Sequence, residues 1–465
     1  MTATDLWTLM PLLILAAGAL LVLLLGALVP GRYGTGVAAV TAVGVICWAV
    51  MSPPPATPQS LGIILSPFAR LFCVLFSLVA VAVLLISTRY NHREGIIGEE
   101  YPATILFALF GMTALSMATN LLVLFLGLES LTFAFYFLVA CDRQRPSSAE
   151  AGLKYLLIGA VAAAFTAFGL ALVYACSGTL ATDRAMQAAL NPATPLGAAG
   201  AGFLLMGIVF KVSLVPTHLW TPDVYQGAPT PVTAFLATAS KVAALAAFLL
   251  LFAGTNGVGL LHGPLWCLAL LSMVVGNLAA LRQRSVKRLL AYSSIAQMGY
   301  IALALVSGIG GRSAVAFYAA AYAVMNLAAF GTLAALDDRG TGELDDLQGI
   351  GYRQPFLGGV LALAMFALAG IPPTVGFLGK FLIFTAALKG GESLLAVIGI
   401  LTAAISVYYY LRVVTILYLR PAAEPVPTGN TSVAEYGVLG VVGLLIIILG
   451  LIPSPLLELV EKALQ

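Results

Sequence analysis

Charge is what this sequence has least of. Lysine, arginine, aspartate and glutamate together make up 9% of 465 residues, against 61% hydrophobic residues and a mean hydropathy of +1.03. That balance excludes the soluble globular class and indicates a polytopic membrane protein. A net charge of +3, scattered among short loops, excludes a nucleic-acid partner and leaves the lipid bilayer as the surroundings. The five cysteines, Cys47, Cys73, Cys141, Cys176 and Cys267, form no CxxC pair and no metal-ligand spacing. They read as small apolar packing residues, so iron-sulfur, haem and zinc sites are not expected here. A redox centre would sit on another polypeptide, and no segment reads as a nucleotide or quinone pocket. The run Leu6–Leu28 lacks the basic residues that precede a cleaved leader and is long enough to span, so it reads as the first transmembrane helix.

What is present is about fourteen apolar runs, each near the ~20 residues that cross the hydrocarbon at 1.5 Å per residue. They fall near Leu6–Leu28, Tyr33–Met51, Pro67–Ser87, Ala103–Met117, Leu121–Ala140, Ala151–Cys176 and Ala198–Val215. The others are Val232–Ala253, Gly259–Leu281, Arg288–Val306, Ser313–Leu336, Pro355–Leu388, Ser393–Leu419 and Val433–Ile452, after which a short tail is expected. Loops after odd-numbered runs hold most of the basic residues, among them Arg32, Arg89, Arg93, Arg143, Arg145, Arg282, Arg284, Lys287, Arg339, Arg353 and Arg420. By the positive-inside rule both termini face away from the cytoplasm.

Two runs look broken. The seventh meets Pro216 shortly after Lys211, and the twelfth is interrupted by Gly370-Ile-Pro-Pro373 before Lys380. Proline removes a donor and clashes with the preceding turn, and freed backbone at membrane depth survives only where protein or water satisfies it. Five runs separate the breaks, so the two helices enter from opposite sides. That predicts two inverted repeats, runs four to eight (101–256) and nine to thirteen (257–420), preceded by three helices in 1–100 and followed by the last helix and tail in 421–465.

The intramembrane charges are few enough to weigh singly, since each costs at least roughly 2.5 to 3.5 kcal/mol to insert. Glu129 lies about nine residues into the fifth run, roughly 14 Å deep, where a carboxylate needs a cation beside it or stays neutral. Lys211 is the expected partner, about thirteen residues into the seventh run with no route to snorkel. The pair reads as a proton-loading site, or as a structural ion pair that serves specificity. Lys241 in the eighth run and Lys380 after the second break read as further relay positions, or as caps on broken backbone. His218 follows Lys211 by seven residues, the same face of an uninterrupted helix, though Pro216 leaves its direction open. Lys154, four residues into the sixth run, is either a relay or an anchor reaching the interface. Arg70 and Arg412, nearer helix ends, read as anchors. The tenth run carries Tyr292, Ser293, Ser294, Gln297 and Tyr300, which either hold water between half-channels or bond neighbouring helices.

Three motifs carry a resemblance: RSVKRLLAYSSIAQMGY (Arg284 to Tyr300), FKVSLVPTHLWTPDVYQGAPTPV, and AGIPPTVGFLGKF (Ala369 to Phe381). In this order, within roughly residues 60–420, the chain resembles the antiporter-like membrane subunits of proton-pumping NADH:quinone oxidoreductase, respiratory complex I. It is similar, more distantly, to subunits of multisubunit cation/proton antiporters. The resemblance implies an all-α polytopic fold of fourteen helices, with inverted five-helix repeats broken in helices seven and twelve. It implies Glu129, Lys211, Lys241 and Lys380 as proton-translocating groups. Lys380 within GFLGKF, with YYYLR at Tyr408 to Arg412, resembles the subunit N branch, whereas a glutamate at that place resembles subunit M. Subunit L carries a long lateral C-terminal helix that this length disfavours. The resemblance further implies other antiporter-like subunits as partners, flavin and iron-sulfur clusters on partner subunits, and a bacterial cytoplasmic (inner) membrane location. The competing expectation is exchange of Na⁺ or K⁺ for H⁺ by a secondary antiporter.

Overall fold

Backbone that crosses lipid has no water to bond to, so long apolar runs have only helix or closed barrel available. In the computed structural model, which describes residues 3–29, 31, 33–52, 62–96, 98–255, 257–336, 342–420 and 431–465, they are helices. Among the described residues the only strand-like pairing is three isolated bridges. Arg32 and Arg339, counted above for orientation, lie outside the described residues.

Among the described residues twelve helices are long and apolar enough to cross a membrane. Two expected runs fall short of that measure. The fourth is a helix of 17 residues, Glu100–Ser116, and the twelfth is split into Pro355–Ala369 and Val375–Lys389. The fourth and fifth helices are joined by a connection of only Met117 to Asn120, closed by the Asn120 side chain accepting from the Val123 N–H (2.8 Å).

Two features escaped the sequence reading. A short helix, Thr182–Ala189, precedes the seventh span, and the expected tail is a helix, Ser454–Leu464, packed on the third span and on Arg312–Leu336. Leu456, Leu457, Val460 and Leu464 recur along its inner face while Glu458, Glu461 and Lys462 face out. Eleven residues with mixed polarity are too few for a hydropathy window to notice.

Burial sorts the spans into centre and rim. In the spans Thr230–Leu251, Val286–Val306 and Gly308–Leu336, 94% of the residues in the apolar stretch are buried, whereas in the first, second, sixth and last spans most are not. The buried charges therefore sit on, or lean against, the central helices. Helix pairs on both sides of this centre approach through glycine. A Cβ added at Gly127 would lie 2.7 Å from the Leu115 nitrogen and 2.9 Å from the Gly111 carbonyl oxygen. One at Gly276 would lie 2.7 Å from the Ala296 nitrogen, and one at Gly299 2.8 Å from the Met273 nitrogen. With no hydrophobic force between helices in lipid, such close backbone contact is what holds a pair together. Gly127 also sets the depth of Glu129 two residues on. Gly127→Ala should push the fourth and fifth helices apart, costing about 1–3 kcal/mol. The measurement is the thermal stability of the purified complex, and an unchanged midpoint would show that the pair tolerates the extra carbon.

Candidate functional site

The seventh span runs helically from Pro195 to Val212 and stops where Ser213 turns into the left-handed region (φ 67). A short turn, Thr217–Leu219, and a second helix, Trp220–Gly227, carry the chain onward. The opened backbone is satisfied from within the protein. The Ser213 and Leu214 N–H groups donate to the Phe210 and Val209 carbonyls, each at 3.0 Å. The Val215 N–H donates to the Ser272 hydroxyl of the ninth span (2.9 Å), and Trp220 Nε1 donates to the Phe210 carbonyl (3.2 Å).

Lys241 completes this break. It is 1% exposed, and its Nζ donates to the Val212 carbonyl (3.1 Å) and to the Ser213 hydroxyl (3.2 Å). The last carbonyls of a helix carry the negative end of its dipole, so an ammonium is at home there. The eighth span reaches this point through a π-helical turn, Leu236–Ser240, placed directly before the lysine. An extra residue per turn rotates the remainder of the helix about its axis, and such turns gather at functional positions. Nothing in the periodicity of an Ala-rich run announces it.

The twelfth span repeats the arrangement with other atoms. Pro355–Ala369 ends at Gly370 (φ 87), and the Lys380 Nζ returns from the following helix to donate to the Leu368 (2.8 Å) and Ala369 (3.0 Å) carbonyls. Lys380 is 5% exposed, with its Nζ 5.4 Å from the centre of the Tyr300 ring. At each break one buried amine thus caps the opened carbonyls.

Lys211 lies one residue before the end of the first half-helix, 5% exposed. The expected Glu129–Lys211 ion pair needs correcting. Among the described residues Glu129 makes no ion pair or hydrogen bond, and Lys211 Nζ donates instead to the Thr132 hydroxyl. Thr132 follows Glu129 by three residues on the same helix face and is wholly buried, while the carboxylate one turn earlier is half-buried. Glu129 remains close enough for its charge to act on Lys211 and on Tyr136 and Tyr155. Thr132 went unnoticed because a threonine in an apolar helix normally bonds its own backbone, as this one also does to the Leu128 carbonyl.

His218 does not share a helix face with Lys211, because the helix ends at Val212 and the histidine belongs to the turn beyond. It is 9% exposed, lies near Lys241, and among the described residues its Nδ1 has no hydrogen-bond partner. Lys154 is eight residues into a helix that begins at Pro146, earlier than expected, and still reaches the rim. Its Nζ bonds Glu150 (2.7 Å) and Asp223 (2.9 Å), whose other oxygen holds Arg288 (2.7 Å), beside a polar cavity of about 440 Å³. Arg412 donates to the Leu281 and Gln283 carbonyls at the end of the ninth span, and Arg70 to the Ser52 and Leu65 carbonyls. Of the polar side chains of the tenth span, Ser293, Ser294, Gln297 and Tyr300 bond neighbouring helices: Ser294 meets Tyr322 (2.6 Å), and the Asn277 amide donates to Tyr300 (2.9 Å). Among the described residues no three His, Cys, Asp or Glu side chains converge as a metal site requires.

Three buried amines thus lie at or beside two opened helix ends. Residues 118–406 match the family described as NADH:quinone oxidoreductase/Mrp antiporter, TM. Over the whole of both chains, the sequence is 57% identical to NADH-quinone oxidoreductase subunit N of Geotalea uraniireducens and 58% identical to that of Geobacter metallireducens. The fold matches a chain of respiratory complex I from Thermus thermophilus with bound aureothin at a TM-score of 0.83 and 35% identity, covering 96% of this chain and 98% of that one. It matches a chain of the Mrp complex from Dietzia sp. DQ12-45-1b at a TM-score of 0.84, covering 100% of this chain and 97% of that one, but at 21% identity, which speaks to fold alone. With full-length identity near three-fifths to its subunit N relatives, this chain belongs to the subunit N family of NADH-quinone oxidoreductase.

Proposed function

We propose that the chain forms one proton channel of a membrane-bound NADH-quinone oxidoreductase and performs no bond chemistry itself. Its partners are the other membrane subunits of that complex, antiporter-like ones among them. Flavin and iron-sulfur clusters belong to further subunits, from which redox energy arrives as a change in field or shape. The observation that carries this reading is the placement of three buried amines at two opened helices, with Lys241 bonded to the residue next to Lys211.

The Thr132 hydroxyl holds Lys211 beside the Glu129 helix without neutralising it. A carboxylate that swings toward the amine strengthens its hold on a proton, and one that recedes weakens it. One pK unit is about 1.4 kcal/mol, so a movement worth a few kcal/mol switches occupancy. The proton then passes by Lys241 and water toward Lys380 and the outer face, with His218 beside Lys241 and Lys154 at the rim as accessory positions.

We read Glu100–Ser116 and the interrupted Pro355–Lys389 as two further crossings, giving fourteen. Residues 101–256 and 257–420 form the inverted repeats. The glycine-mediated pairing of helices four with five and nine with ten supports that division. Both termini then face the non-cytoplasmic side of the bacterial cytoplasmic membrane. Glu129→Gln should lower protons pumped per electron in the assembled complex, while Glu129→Asp keeps much of the pumping. Equal pumping by wild type and Glu129→Gln would remove the carboxylate from the mechanism. Sodium or potassium flux in vesicles without any electron donor would favour the antiporter reading instead.

A further inference from the structure

Beside Lys380 the interior holds buried hydroxyls and the primary amide of Gln297. On Val286–Val306, Gln297 lies three or four residues from each of Ser293, Ser294 and Tyr300 and so shares a face with them. Tyr318 and Tyr322 of Arg312–Leu336 and Tyr410 of Ser393–Leu419 meet them, all buried. The Tyr318 hydroxyl donates to Gln297 Oε1 (2.5 Å). Gln297 Nε2 donates to the Leu368 carbonyl (3.0 Å) and to the Tyr410 hydroxyl (3.1 Å), which in turn bonds Ser293. The Leu368 carbonyl is the one Lys380 also holds, at 2.8 Å. Glutamine and lysine thus share one oxygen at the second break.

A carbonyl can only accept, so the amide atom facing Leu368 is the nitrogen and the oxygen faces Tyr318. That fixes what the side chain can do. A hydroxyl takes a proton on its oxygen and releases another from the same atom. The amide receives at oxygen and donates at nitrogen, and a proton could cross it only through the high-energy imidic acid form. Gln297 is 0% exposed, and its three bonds hold the amide in this orientation.

We propose that Gln297 is the gate of the channel: in this arrangement its amide insulates Lys380 from the tyrosine and serine hydroxyls of the tenth and eleventh spans. Conduction requires the amide to leave the Leu368 carbonyl so that water or a hydroxyl takes its place. Because Lys380 holds the same oxygen, movement of the lysine is the natural trigger. This rests on the proton-channel reading and adds a residue that must block protons at rest.

The test uses the complete complex in vesicles holding a pH-sensitive dye, with a potassium diffusion potential and no NADH. Gln297→Glu keeps the shape but lets one group take and release a proton, and it should raise passive proton leak about tenfold over wild type. Gln297→Leu carries no protons, and its leak should stay at the wild-type level. Gln297→His should leak as the glutamate variant does, and it serves if that variant does not assemble. Wild-type leak in the glutamate and histidine variants, or equal leak in the leucine variant, overturns the gate. If Glu129→Gln abolishes pumping while Gln297→Glu vesicles stay tight, the gate fails and the channel stands. If Glu129→Gln pumps normally, the channel itself fails.

Discussion

A complex carrying Lys380→Arg should assemble with near wild-type stability and pump about tenfold fewer protons per unit time. The guanidinium has five donors with which to satisfy the Leu368 and Ala369 carbonyls, and Gly370 beside the lysine stem presents no side chain to obstruct it. Arginine keeps its proton under all conditions a protein meets, so the cap survives while loading and release are lost. Lys380→Met removes both functions. It leaves the Ala369 carbonyl without its donor, at about 1–3 kcal/mol for a buried group left unsatisfied, while the Leu368 carbonyl keeps the Gln297 amide. Comparing the two substitutions by thermal stability and by pumping separates support from conduction. An arginine variant that pumps like wild type would make Lys380 a helix cap and nothing more.

The second large effect is expected at Lys211. Removing its side chain with Lys211→Ala does not orphan Thr132, whose hydroxyl also donates to the Leu128 carbonyl, so the fold should survive. The loss is electrostatic. Glu129 is left facing a helix end that no longer carries an amine. Without a loadable amine, the first half of the path has nothing to switch. Proton pumping should fall about tenfold or more, beyond any loss in the amount of assembled complex.

The sequence carried the architecture because hydrocarbon permits so few solutions. Apolar runs had to be helices, proline and glycine had to open two of them, and rare charges had to be placed for use. Lys211, Lys241 and Lys380 were all legible as buried amines near breaks for that reason. Partners were harder to read, because they depend on sub-ångström placement and not on residue class. Glu129 and Lys211 are on neighbouring helices as their depths suggested, yet a threonine one turn away receives the amine. Lys241 reaches Val212 by virtue of a π-helical turn that no hydrophobic period encodes. His218 was placed by counting residues along a helix that ends before reaching it. The C-terminal helix Ser454–Leu464 is legible in hindsight from its alternating faces, but it lies on the bundle and does not cross it.

The most direct test is the number of protons translocated per electron when the purified complex, wild type or Lys211→Ala, oxidises NADH in sealed vesicles. A channel running through this chain predicts that the alanine complex, present in equal amount, moves fewer protons for each electron. An unchanged ratio would mean that protons cross elsewhere, and that the buried amines here only hold two broken helices together.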